Sequence, residues 1–279
     1  MIVLFLFLRV IKQLNKVNIC IKNDITISVC HIEQVKDILN CNLDGLKVHI
    51  KVNSGMNRLG ISNLDEVLEV INLLDGKVLI EGIYSHIYDA SCKEKYLDQL
   101  KLFESIVIGC NYSFSIIHIA ASDALVNYTK PYFVNGCRLG IIMYGFNDKL
   151  ELLSTFKVVS EVIQINTLNK GDVVGYNGIY TASNDGERIA VIPIGYADGI
   201  IRKNTGRYVY INDRKYRIIG NICMDMLFVK VDEDVKLFDK VEILRDNEHI
   251  NDVSCHLETI PYEVMCSISR RVERVYILK

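Results

Sequence analysis

The chain has 279 residues, half of them hydrophobic and 24% charged, with a formal net charge of -2. That is the composition of an ordinary globular protein with room for one large domain or two smaller ones. It lacks the basic excess of nucleic-acid binders, and three prolines without a low-complexity run argue against long disordered segments.

The N-terminal run Met1-Ile2-Val3-Leu4-Phe5-Leu6-Phe7-Leu8 is apolar. No basic residue precedes it and no small-residue cleavage site follows, so it does not read as a signal peptide. It is also far shorter than the roughly 20 residues that cross a bilayer. A buried strand over Ile2–Leu8 is expected, with no membrane association. Further strands are expected over Ile25–Val29, Lys47–Val52, Val78–Ser85, Ser115–Ile119 and Arg138–Tyr144. Helical stretches lie between them. Ile32, Val35, Ile38 and Leu39 share one face, and so do Leu64, Val67, Leu68, Ile71 and Leu74, with Ser62 and Asp65 as the helix start. Tyr96, Leu97, Leu100, Phe103 and Val107 mark a third.

Strands alternating with helices predict βαβ units and a parallel sheet. About six such units fall within residues 1–149, against eight in a complete (β/α)8 barrel. Either the sheet is open or units are missing. From about residue 150 the pattern changes. Lys157–Ile165, Arg188–Ile194, Tyr208–Ile211, Leu227–Val231 and Lys240–Leu244 read as strands joined by short polar links such as Asn212-Asp213-Arg214-Lys215. Residues 150–279 are therefore expected to form an all-β domain. The nine cysteines are scattered, with no C-x-x-C and no zinc-ligand spacing. Reduced cysteines, no metal and a cytoplasmic setting follow.

Three local patterns carry chemistry. Lys51–Gly60 follows a strand, where barrel enzymes place their active sites. Arg58 there either grips an anion with its fork of donors or is a surface arginine beside turn glycines. Ile192–Gly199 ends a strand in a glycine-flanked Tyr196 and Asp198. Tyr196 could serve as an acid or base, or the segment is a turn with Asp198 bonded to its own backbone. Gly220–Met226 holds Cys223, either a nucleophile or a buried structural residue. His86, His118 and His31 all sit near strand ends, so position alone does not single out His86.

Together these patterns resemble the pyridoxal-phosphate-dependent alanine racemase family. The resemblance runs from about residue 20 to the C-terminus. It is carried by Lys51–Gly60, Ser85-His86, His118–Ser122, Arg138–Ile141 with Met143-Tyr144-Gly145, Gly195–Gly199 and Ile222–Asp225. It implies a (β/α)8 TIM-type barrel, here N-terminally incomplete at about six units, followed by a C-terminal β domain. It implies an isomerase that interconverts L- and D-alanine and supplies D-alanine for cell-wall peptidoglycan. It also implies a cytoplasmic head-to-tail homodimer, each active site using the other subunit's β domain.

The same resemblance assigns roles. Ser122 and the backbone of Gly140 and Ile141 bind the cofactor phosphate, as neutral donors suit an anion. Arg138 hydrogen-bonds the pyridine nitrogen, which stays unprotonated because a guanidinium keeps its protons. That weakens the electron sink and limits side reactions. His86 orients Arg138. Arg58 holds the substrate carboxylate region and the cofactor's phenolic oxygen. Lys51 matches a lysine that is carbamylated in many members and buttresses Arg58. The partner subunit's Tyr196 is one of two bases, Met224 binds the substrate carboxylate through its backbone, and Asp225 lies near the entrance.

The chain departs from the family at the Schiff-base lysine, which stands in a K-A-N-A-Y-G type motif that is absent here. Asn53 replaces a common Asp, Ile87-Tyr88-Asp89 replaces Phe-Ala after His86, and Arg270 stands where a phosphate-binding Tyr is frequent. The expected function is thus an alanine racemase, truncated and impaired when alone. A serine racemase of the same family and a non-catalytic dimerisation remnant stay open beside it.

Overall fold

A computed structural model describes residues 6–7 and 14–277. The chain divides into two compact units, Met1–Ile142 and Met143–Lys279.

In the first unit strands and helices alternate: β1 Leu6–Phe7, α1 Leu14–Lys22, β2 Thr26–Val29, α2 Ile32–Leu39, β3 Lys47–Lys51, α3 Leu64–Leu74, β4 Leu79–Tyr84, α4 Lys93–Gly109, β5 Ile116–His118 and α5 Ser122–Asn127. All neighbouring strands pair parallel, in the order β1-β2-β3-β4-β5. A bridge from His118 to Gly136 carries the sheet one step further. This is the strand order of a TIM-type barrel, in which each strand pairs with the next. Of the expected Ile2–Leu8 strand, Leu6–Phe7 is a strand and the remaining residues lie outside the described ones.

The two-residue period of a strand sorts its side chains into two faces. Ile27, Val29, Val48, Ile50 and Ile83 are fully buried and pack with Val35, Val67, Leu74 and Phe103 of the helices. Burying such a side chain contributes about 1.5–3 kcal/mol. The alternate positions hold Thr26, Ser28, His49, Lys51, Tyr84 and His118, all nearly buried. A strand buried on both faces normally reads as a continuous apolar run, so these polar residues call for another purpose than folding.

The helix α3 begins one residue later than Ser62 would place it. Asn63 is the cap, its Oδ1 accepting from the Glu66 amide at 2.8 Å. The expected strand Arg138–Tyr144 is absent. The Arg138 amide donates to Ala120 O at 2.9 Å and that of Gly140 to Ser122 Oγ at 3.1 Å, and Ile141–Tyr144 coils into a 3-10 turn. Its apolar run mimics a strand, but its amides are taken by the loop after β5.

The second unit contains β6 Val158–Glu161, β7 Gln164–Leu168, β8 Val173–Val174, β9 Tyr180–Thr181, β10 Glu187–Ile192, β11 Tyr208–Ile211, β12 Arg214–Ile219, β13 Leu227–Val231 and β14 Lys240–Leu244. Seven strands form one antiparallel sheet in the order β6-β14-β11-β12-β13-β10-β7. The expected single strand Lys157–Ile165 is two strands, because β6 pairs with β14 and β7 with β10. These are the opposite edges of the sheet, and only Val162-Ile163 joins them, so the sheet curls. The link Asn212–Lys215 is shorter than expected. Only Asn212 and Asp213 turn, with φ of 49° and 63°, and β12 starts at Arg214. Two helices, α6 Asn247–Leu257 and α7 Pro261–Ser267, complete the unit. No described helix is long and apolar enough to cross a membrane.

Candidate active site

The polar face of the parallel sheet forms one connected cluster. Arg138 Nη1 donates to His118 Nδ1 at 2.6 Å. Nη2 faces Ser85 O at 2.6 Å, His86 Nδ1 at 2.9 Å and Ile119 O at 3.3 Å. His118 Nε2 lies 2.9 Å from His49 Nδ1, and His49 Nε2 lies 3.2 Å from Glu81 Oε2, which also accepts from Thr26 Oγ1 at 3.1 Å.

A guanidinium only donates, so the proton placement along this chain is determined. His118 Nδ1 accepts, and its proton sits on Nε2. His49 then accepts at Nδ1 and donates from Nε2 to the Glu81 carboxylate. Each imidazole is neutral in this arrangement. Burial, then the Arg138 charge, pushes His118 down to about 2. The same two causes, joined by Lys51 and Arg58, push His86 down to about 4. Burial also lowers His49, against the pull of Glu81. Burial brings Arg138 itself down to about 10.

Tyr84 packs the cluster from the side. Its ring stacks on His118 at 4.8 Å, its hydroxyl meets Ser28 Oγ at 2.7 Å, and Lys51 Nζ and Arg138 Cζ stand 4.9 Å and 5.0 Å from its centroid. Gly82 makes room for His49, since a Cβ there would come within 2.7 Å of the imidazole. Gln99 of α4 fixes the loop after β4, donating to His86 O at 3.1 Å and accepting from the Tyr88 amide at 2.9 Å.

Lys51 is buried, with Nζ donating to Val52 O at 3.1 Å. Burial, then the Arg138 charge, brings it down to about 7. Arg58 is exposed and makes no hydrogen bond to Lys51; its charge nonetheless reaches Lys51 and His86. Ser122 is buried at the start of α5, and its Oγ accepts from Gly140 N, next to Ile141.

In the second unit two loops are stitched together. The Tyr196 amide donates to Cys223 O and that of Ala197 to Met224 O, both at 3.0 Å. Gly195 permits this, because a Cβ there would overlap both carbonyl oxygens. Asp198 accepts from Gly195 N at 2.8 Å, so the turn reading of this segment holds. Arg271 pairs with Asp198 at 3.0 Å and with Asp225 at 2.6 Å. The Tyr196 and Met224 side chains stand 44% and 54% exposed. Burial pushes the Cys223 thiol up, and its Sγ faces Asn221 O, so it is a structural residue. Arg270 is exposed.

Residues 4–148 match the alanine racemase N-terminal domain model, and residues 155–276 match the C-terminal domain model. The chain belongs to the alanine racemase family. It is 34% identical over 263 residues to the alanine racemase of Staphylococcus saprophyticus, covering 88% of this chain and 67% of that one. Alanine racemase of Clostridium difficile 630 superposes with a TM-score of 0.87 at 31% identity, over 96% of this chain and 74% of that one. The Bacillus anthracis enzyme, solved with bound L-Ala-P, gives 0.88 at 27% identity, over 100% and 77%. The family is one of isomerases, and its fold is the TIM-type barrel followed by a β domain.

Of the residues that the sequence points to, Arg138 meets His86, and Gly140 meets Ser122. The sequence did not single out His49, Glu81, Tyr84 or Gln99. The available signal was polarity inside apolar strands: His49 and Lys51 at a two-residue spacing in β3, Glu81 and Tyr84 across a register shift in β4, and His118 in β5.

Proposed function

We propose that this chain carries the greater part of a pyridoxal 5'-phosphate-dependent alanine racemase site. The observation behind this reading is the state of Arg138. Its Nη atoms are engaged by His118, His86 and two carbonyls, and its Nε–H bonds to nothing among the described residues. A rigid, permanently protonated donor of this kind fits an aromatic ring nitrogen that is to stay unprotonated. Ser122 Oγ accepts from Gly140 N and so keeps its own proton for a phosphate oxygen. The residues present therefore fit the cofactor.

When bound, the cofactor supplies an electron sink that makes the α-proton of an amino acid removable. The chain's own residues bind and position. Arg138 holds the ring nitrogen, while His86 and His118 hold Arg138. Ser122, Gly140 and Ile141 hold the phosphate. Arg58 and the Met224 amide draw the substrate carboxylate. Tyr196 moves the proton on one face of the α-carbon, serving the site of a second subunit in a head-to-tail homodimer. Its exposure supports that role. Racemisation needs a second base on the opposite face, and no lysine in this sequence stands in a K-A-N-A-Y-G context. The chain alone is therefore a weak catalyst. The product, D-alanine, would serve cytoplasmic supply of cell-wall peptidoglycan.

Titration with pyridoxal 5'-phosphate, followed by absorbance, tests this reading. Saturable binding weakened at least about tenfold by Arg138→Ala supports it. No binding by the unaltered chain sinks it. Assays with L-alanine and L-serine, alone and after co-expression with a full-length family member, decide substrate and subunit contribution. Faster turnover of serine would reassign the substrate.

A further inference from the structure

Arg207, immediately before β11, lies outside all of this machinery. It is 4% exposed. Its Nε donates to Asn204 Oδ1 at 2.7 Å, and its Nη1 to Tyr208 O at 2.9 Å and Ile243 O at 3.1 Å. All three partners are neutral. Its Nη2 is buried and has no hydrogen-bond partner among the described residues. No described carboxylate forms an ion pair with it. Burial alone lowers this guanidinium, to about 9, with no acid raising it. A buried cation without a counter-charge is costly, and buried orphan donors are rare in native proteins.

Arg207 lines a cavity of about 370 Å³. His249 and Val253 share its buried end, while Lys215 and His256 stand at its exposed rim. His249 is already engaged, with Nδ1 accepting from Arg245 N and Nε2 donating to Tyr208 O. His256 donates from Nε2 to Lys203 O at 2.9 Å, and its Nδ1 has no hydrogen bond among the described residues. Gly206 turns the chain at the wall with a φ of 94°, a conformation that favours glycine. Asp252 is the one acid of the lining, and with Glu248 it acts on Lys215, whose ammonium also bonds Tyr210, whereas Arg207 has no counter-charge.

We propose that this cavity of the β domain is an anion site, taking a small oxyanion of the phosphate or carboxylate kind at Lys215, with the buried, uncompensated Arg207 charge behind the cavity wall. Charge-assisted hydrogen bonds of this type are among the strongest a protein makes. The site is built wholly from the second unit and is independent of the cofactor reading.

Imidazole resonances of the full chain test the proposal, with inorganic phosphate and acetate as separate probes and chloride as the ionic-strength control. The His256 signal should shift saturably with at least one oxyanion and not with chloride. The arm that saturates identifies the anion class. His86 and His118 report independently on phosphate bound at the cofactor site. Lys215→Ala should weaken the His256 response about tenfold, and Arg207→Met should abolish it. Should Arg207→Met fail to fold, Arg207→Lys, which keeps the charge but loses the fork, should weaken it as well. An unmoved His256 signal in both arms overturns the proposal, as does equal binding by the Lys215→Ala chain. A crystal grown in phosphate that shows only water in the cavity beside Lys215 also overturns it.

Discussion

His49 Nδ1 and His118 Nε2 meet at 2.9 Å in the buried polar face of the parallel sheet. Their contact links the Glu81 carboxylate at one end to the Arg138 guanidinium at the other. The strands that carry them are separated by β4, yet the two rings share a face because each sits at an even step of its own strand.

His118→Phe keeps the stacking on Tyr84 but leaves His49 Nδ1 and Arg138 Nη1 unpaired. Each orphaned buried group costs about 1–3 kcal/mol. The expected result is a lower urea midpoint together with weaker pyridoxal 5'-phosphate binding. Glu81→Gln retains an acceptor for His49 and should do much less. Equal loss in both variants would contradict the proton order along the chain.

Stability should fall with acid. His86 and His118 have folded pKa values of about 4 and about 2, below the ordinary 6.5. The unfolded chain therefore binds more protons as the pH drops below 6.5, and stability declines through that window. Urea unfolding at pH 7 and pH 5 should show a lower midpoint at pH 5. His86→Phe should flatten the slope, and an unchanged slope would refute the assignment.

Lys51 acts with the same sign in a higher window. Its folded pKa of about 7 lies below the ordinary 10.5, so its contribution to stability rises with pH between those values. A neutral amine at pH 7–8 is also the form that attacks carbon dioxide. With labelled bicarbonate, a carbamate carbon signal is expected from the unaltered chain and not from Lys51→Arg. Absence of that signal at pH 8 would leave Lys51 a plain buried amine.

Two glycines should tolerate no side chain, for different reasons. At Gly82 a Cβ would come within 2.5 Å of Ile116 O and 2.7 Å of His49, so Gly82→Ala should cost at least about 1–3 kcal/mol by overpacking. At Gly195 it would part the Tyr196 and Met224 loops. Gly195→Ala should reduce turnover in a complemented dimer more than it lowers the melting temperature. The reverse order would mean that the loop pairing is structural only.

Much of the architecture was legible from pattern alone. Tyr208–Ile211, Leu227–Val231 and Lys240–Leu244 are strands with the expected bounds. Arg138–Tyr144 reads as a strand because a short apolar run has the same composition in a strand and in a 3-10 turn, and only the acceptors at Ala120 and Ser122 choose between them. Lys157–Ile165 reads as one strand because a change of partner over two residues leaves no mark in hydrophobicity.

By itself the sequence determined the alternation of strands and helices, the change to a β domain, and the motifs that mark the family. Those depend on local periodicity and on residue types at short spacing. Only the tertiary structure decided which titratable groups meet. His49, Glu81, His118 and Arg138 come from strands and loops spread over 90 residues of sequence. The neutrality of the imidazoles, and the lowered pKa of Lys51, come from desolvation and from one shared guanidinium charge. Burial and charge proximity are properties of the folded neighbourhood, and no spacing along the chain encodes them.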